Sequence, residues 1–102
     1  MIIEAVVLNI REGQAGDFEE AFEDAKAIVA ASPGFEGLRL ARCHETSNRY
    51  LMLIGWASLE DHLVGFRESD AFGEWSRRLH HFYEPFPLVE HYEPIIEVPG
   101  AG

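Results

Sequence analysis

The stretch Tyr50-Leu51-Met52-Leu53-Ile54-Gly55-Trp56 is the longest uninterrupted apolar run in the chain and carries neither charge nor proline. A run of this length between polar flanks reads as a strand buried on both faces, and therefore central in its sheet. Arg49 precedes it, Ala57 and Ser58 follow, and Trp56 stands at its exit. Upstream, Thr46-Ser47-Asn48-Arg49 has hairpin-turn composition. It joins the run to residues 37–45, where Leu38, Leu40, Arg42 and His44 alternate with Arg39, Ala41, Cys43 and Glu45. That alternation predicts a half-exposed edge strand.

Working further outward, residues 2–10 are rich in branched side chains and read as another strand. Glu4 and Asn9 interrupt it with opposite parity, so they face opposite sides of the sheet. Residues 17–31 repeat Phe18, Ala21, Phe22, Ala25, Ile28 and Val29 at spacings of three and four, which predicts an amphipathic helix stopped by Ser32-Pro33-Gly34. Downstream of the central run, Ser58 with Asp61 three residues on has the form of a helix start, with Leu63 and Phe66 as the apolar stripe. Ser69-Asp70 caps a restart, and Phe72, Trp75, Leu79 and Phe82 continue the stripe until Pro85-Phe86-Pro87 ends it. Residues 88–93 form a last strand of mixed alternation.

The order is strand, helix, strand, strand, helix, strand. With right-handed crossovers it gives an α+β, ferredoxin-like β-α-β-β-α-β fold: an antiparallel sheet, first and third strands central, two helices on one face. The central run is apolar at both parities, so the uncovered face needs a cover. A second copy of the same sheet is the simplest one, and a homodimer with face-to-face sheets is expected.

At 102 residues the chain is expected to be one domain, with its core at about residues 2–95. The single cysteine, Cys43, rules out an internal disulfide and suits a reducing, cytoplasmic setting. Met1-Ile2-Ile3-Glu4 has no basic signal-peptide region, and no apolar run reaches the ~20 residues of a membrane helix. With 8 basic against 18 acidic residues and a net charge of -10, nucleic acid and anionic membranes are not expected partners.

Several segments together carry a family likeness: the apolar first strand, Ser32-Pro33-Gly34-Phe35, Gly37-Leu38-Arg39, Ile54-Gly55-Trp56-Ala57-Ser58 and Ser69-Asp70-Ala71-Phe72. Over about residues 2–95 the chain resembles the antibiotic biosynthesis monooxygenase superfamily. The resemblance implies a dimeric α/β barrel with a pocket between sheet and helices. It also implies a small reduced aromatic or quinol-type substrate oxygenated without a cofactor. The family is functionally mixed, so a non-catalytic dimeric ligand-binding or structural protein is the alternative. Its haem-degrading branch is a poorer match: the asparagine, tryptophan and histidine used there fall on Val6, Phe66 and Ser76. Trp56 falls on the tryptophan that follows the third strand in the cofactor-free oxygenases.

Histidines are the natural general bases near neutral pH. His80, His81 and His91 are the catalytic candidates, whereas His44 lies at an edge-strand end and His62 is expected at a solvated face early in the second helix. Of His91 and Tyr92, one must face inward. Trp56, Tyr50, Phe66, Trp75 and Tyr92 are the candidate substrate-binding aromatics; Trp56 suits core or pocket wall, and the helical stripe of Phe66 and Trp75 reads first as core. Arg39 and Arg42 take opposite faces of their strand and suit either a substrate anion or a surface ion pair. No His-Glu-x-x-His motif and no glycine-rich phosphate loop occurs, so no metal site is expected.

Overall fold

The protein is described here by a computed structural model covering residues 1–101. Its elements follow the expected order: β1 (Ile2–Asn9), α1 (Ala15–Ala30), β2 (Phe35–Arg42), β3 (Arg49–Trp56), a π-helical segment (Asp61–Phe66), α2 (Asp70–Leu79) and β4 (Val89–Tyr92). The sheet order is β2-β3-β1-β4, antiparallel at every pair, so β1 and β3 are central as their apolar sequences require. This is the ferredoxin-like α+β arrangement, and the four-stranded sheet is open rather than closed on itself.

Both helices lie on one face. There Val6 and Leu8 of β1, Ile10 just beyond it, and Tyr50, Met52, Ile54 and Trp56 of β3 are buried against Phe18, Phe22, Ala25 and Val29 of α1 and Trp75 and Leu79 of α2. The opposite parity behaves differently. Val7 is 49% and Leu51 40% exposed. Within the single chain the central run is thus buried on one face only, the other being the face for which a cover is expected.

The second helical region breaks at Ser69, whose Oγ accepts from the Phe72 backbone N–H at 3.4 Å. Its first part is wider than an α-helix, because the Arg67 N–H bonds the His62 carbonyl five residues back at 3.0 Å. A wider turn advances less per residue, so residues four apart share a face better than residues three apart. His62 and Phe66 are therefore the buried pair, while Leu63 is 36% exposed. The stripe expected from Leu63 and Phe66 is corrected accordingly.

This wide turn is anchored from outside. Ser58 Oγ accepts from the Asp61 N–H at 3.2 Å and lies 3.0 Å from Asp61 Oδ2. The stop after α1 packs directly on that cap: the Ala57 N–H bonds the Gly34 carbonyl at 2.8 Å. Gly34 has φ +85°, and a Cβ there would overlap the Asp61 side chain. Gly16, in the first turn of α1, has open space around it. We predict that Gly34→Ala lowers stability by about 2 kcal/mol or more. Gly16→Ala should be neutral or stabilising by about 0.5–1 kcal/mol. Urea unfolding of both variants checks the contrast.

Candidate functional site

Between the helix-bearing face of the sheet and the π-helical segment, α2 and the chain after it lies a cavity of about 330 Å³. That volume suits a small aromatic molecule. Its floor is Val6, Leu8, Met52 and Ile54; Phe66, Phe72 and Trp75 wall it from the helical side. Phe86 and Pro87 close a third side. The segment after α2 is held in place by bonds to the end of β1, from the Glu84 N–H to the Asn9 carbonyl at 2.8 Å and from the Arg11 N–H to the Phe82 carbonyl at 2.9 Å. These carry Tyr83 to the cavity wall.

Five polar side chains interrupt the apolar lining: Glu4, His62, Arg67, His80 and Tyr83. Glu4 is 6% exposed. Strand register explains its company. Glu4 pairs with His91 on β4 and Ile54 on β3, and Trp56, two residues beyond Ile54, is its diagonal neighbour. Glu4 Oε1 accepts the Trp56 indole N–H at 3.0 Å and lies 3.3 Å from His62 Nε2. His62 is 2% exposed and stacks on the Trp56 ring at 5.3 Å and 16°. On its other side, His62 Nδ1 is 2.8 Å from His91 Nε2.

The electrostatics follow burial. Desolvation pushes the Glu4 carboxyl up, against the indole hydrogen bond and the Arg67 charge, which both favour the carboxylate. Desolvation also pushes His62 down to about 4, helped by Arg67 and His91, so its ring is neutral near pH 7. His91 is lowered by burial and by Arg67, and His80 by burial. Tyr83 is raised, mainly by burial and also by the Glu4 charge. The cavity therefore opposes a carboxyl held toward its acid form to imidazoles held toward their neutral form.

The sequence-predicted residues divide sharply. His80, Phe66 and Trp75 line the cavity. His91 faces inward but lies behind His62, and Trp56 lies one layer behind Glu4 and His62 rather than on the wall. His81 is exposed, its ring over Phe82 at 4.2 Å, and does not reach the cavity. Tyr92 is 53% exposed on the opposite face of β4. Tyr50 is buried, but its hydroxyl bonds Glu19 at a separate surface groove, where Arg42 also binds Glu19 at 2.8 Å. Arg42 is thereby a surface ion pair.

Two residues of the cluster were not anticipated. Glu4 could have been found by parity, because it shares a face with Val6 and Leu8 in a central strand. His62, expected at a solvated face, is buried because the π-type turn aligns it with Phe66; nothing in the local sequence announces that turn. Among the described residues, no group of three or more His, Cys, Asp or Glu side chains is arranged to hold a metal ion. No helix among them is long and apolar enough to cross a membrane.

The lowered His62 value has a stability consequence. A histidine of folded value about 4 and unfolded value 6.5 binds protons more readily when unfolded. Its contribution is therefore intact above about pH 6.5 and is lost as pH falls toward 4. Glu4, shifted upward, works in the opposite sense, so the His62 contribution must be isolated by difference. Between pH 7 and pH 5 it amounts to about 2 kcal/mol. We predict that the fall in thermal midpoint between these pH values is smaller in His62→Gln than in the parent. Equal falls in both proteins would refute this.

The comparisons with known proteins agree with this architecture. The sequence profile of the antibiotic biosynthesis monooxygenase family matches residues 1–78. The uncharacterized protein YczJ of Bacillus subtilis is 43% identical over 95 residues, spanning 93% of this chain and all of that one. A solved family protein from Bordetella bronchiseptica is 27% identical and superposes with a TM-score of 0.89 over 93% of this chain and 97% of its own. SnoaB, a cofactor-independent oxygenase from Streptomyces nogalater, is 19% identical with a TM-score of 0.78 over 97% of each chain, a likeness of fold. On the profile match and the YczJ identity, the chain belongs to the antibiotic biosynthesis monooxygenase family.

Proposed function

We propose that this protein is a cofactor-independent monooxygenase acting on a small reduced aromatic or quinol-type molecule bound in the cavity. The observation that carries the reading is a nearly buried carboxyl, Glu4, set in a pocket walled mainly by aromatic and aliphatic side chains. Deprotonating a phenol or an activated C–H gives an electron-rich anion able to react with dioxygen. A base for that step works best when its pKa lies near the working pH, and burial moves the Glu4 carboxyl in that direction. Phe66 and Trp75 would hold the ring. His80, on the same wall, would hydrogen-bond a second substrate oxygen. Trp56 and His91 act indirectly, through Glu4 and His62.

The balance of such a step is simple. One proton leaves the substrate, the carbanion adds dioxygen, one proton returns to the resulting peroxide, and water leaves as the carbonyl product forms. The runner-up, a ligand-binding protein without turnover, uses the same cavity and predicts affinity for quinols without oxygen uptake.

Oxygen consumption with a panel of hydroquinones and anthrone-like phenols separates the two. Turnover is expected in the parent protein. Glu4→Gln should lower kcat by about 10²-fold or more. Val6→Phe, which fills the floor, should abolish binding, and the exposed Lys26→Ala should change nothing. Quinol binding by calorimetry with no oxygen uptake would favour the binding protein.

We also propose that a second copy covers the open sheet face. Val7 and Leu51 there are exposed, and the chain beyond β4 carries Ile95, Ile96 and Val98 at 82–87% exposure. Apolar side chains this exposed in one chain ask for a partner surface. A dimeric mass at micromolar concentration in light scattering is expected, and a monomeric mass would refute it. A cytoplasmic location is the setting that the lone Cys43 suits.

A further inference from the structure

We propose that Glu4, His62 and His91 form a proton relay that links the cavity to solvent at the edge of the sheet. The proposal rests on the oxygenase reading for its use in turnover, but not for its existence. Three observations carry it. Glu4 lines the cavity, and its Oε1 lies 3.3 Å from His62 Nε2. His62 uses its other nitrogen, Nδ1, toward His91 Nε2 at 2.8 Å. His91 sits on the edge strand β4, is only half-buried, and has no described hydrogen bond at Nδ1. A carboxyl reached by substrate is thus joined through two imidazoles to a ring that meets water.

Each neutral imidazole carries one N–H, so the chain has two matched states. When Glu4 holds a proton, His62 presents a bare Nε2 to it and donates Nδ1–H to His91 Nε2, leaving the His91 proton on Nδ1. When Glu4 is ionised, His62 donates Nε2–H to the carboxylate, His91 donates Nε2–H to His62 Nδ1, and His91 Nδ1 is bare. The first state converts to the second by moving one proton along each link and releasing one to water from His91 Nδ1. The reverse movement takes one from water and returns it to Glu4. No ring accumulates charge in either state.

This alternation matches the proposed reaction. One proton must leave while the substrate still fills the cavity, and one must return for the peroxide. The outward shift leaves the relay set for the inward one, so no ring has to turn between them. The neighbours support the path without shortcutting it. Trp56 fixes Oε1 through its indole N–H, Tyr83 and Arg67 line the cavity beside Glu4, and the Arg67 charge disfavours a trapped imidazolium at His62 or His91.

The test is His91→Gln. The amide can still hydrogen-bond His62 Nδ1 but cannot pass a proton through itself. The first readout needs no substrate: solvent exchange of the His62 ring N–H by nitrogen-15 NMR near pH 7. Exchange should slow at least tenfold in the variant, with unchanged circular dichroism; equal exchange in both proteins would overturn the relay. The second readout is turnover. kcat should fall about tenfold with KM unchanged, and in His91→Ala, which leaves the ring's space empty, added imidazole should restore it. Slowed exchange in a protein whose parent consumes no oxygen would uphold the relay and sink the oxygenase reading. Unchanged exchange with normal turnover would do the opposite.

Discussion

The hydrogen bond from the Trp56 indole to the Glu4 carboxylate is the constraint on which the rest of the site depends. A carboxylate taken out of water costs several kcal/mol unless it is paired. A hydrogen bond to a charged group returns about 1.5–3 kcal/mol. Here the donor is neutral and the Arg67 guanidinium acts through its charge without a hydrogen bond, so desolvation wins and the carboxyl is pushed up rather than down. That inequality holds the carboxyl toward its acid form, in contact with the cavity. It also orders its surroundings, because Trp56 is held as both donor and stacking surface, and His62 is held on that surface.

Rigid framing then matters more than the number of polar groups. Glu4 and Trp56 sit on the two central strands, where register is set by buried side chains on the same face. A slip of one residue would turn Glu4 to the open face and bring Ile3 or Ala5 inward. His62 is held from the other direction by the cap at Ser58 and Asp61 and by the Gly34 turn beneath it. The wide turn has a reason to persist: it places both His62 and Phe66 on the cavity side, which a tighter helix would do less well. Wide turns of this type often coincide with functional positions.

The fold was legible in the sequence because its signals are local and redundant. The apolar run at 50–56, the alternating 37–45 stretch and the capped restart at Ser69 each report their element without reference to the others. The centrality of β1 and β3 follows from their composition alone. The candidate site was legible only in part. His80, Phe66 and Trp75 were identified, since a helical stripe that faces a sheet also faces whatever gap lies between them. His81 and Tyr92 face elsewhere. Adjacent residues on a helix or strand point apart, and parity alone does not say which member of a pair turns inward.

The sequence by itself determined the order of elements, the apolar core positions and the family. These depend on periodicity and composition, which are properties of neighbours along the chain. Only the tertiary structure decided that Glu4, Trp56, His62 and His91 share one polar cluster, because they come from three strands and a helical turn that meet only after folding. The protonation preferences of that cluster were equally hidden. They arise from desolvation, and desolvation is set by what packs around a group rather than by what precedes and follows it.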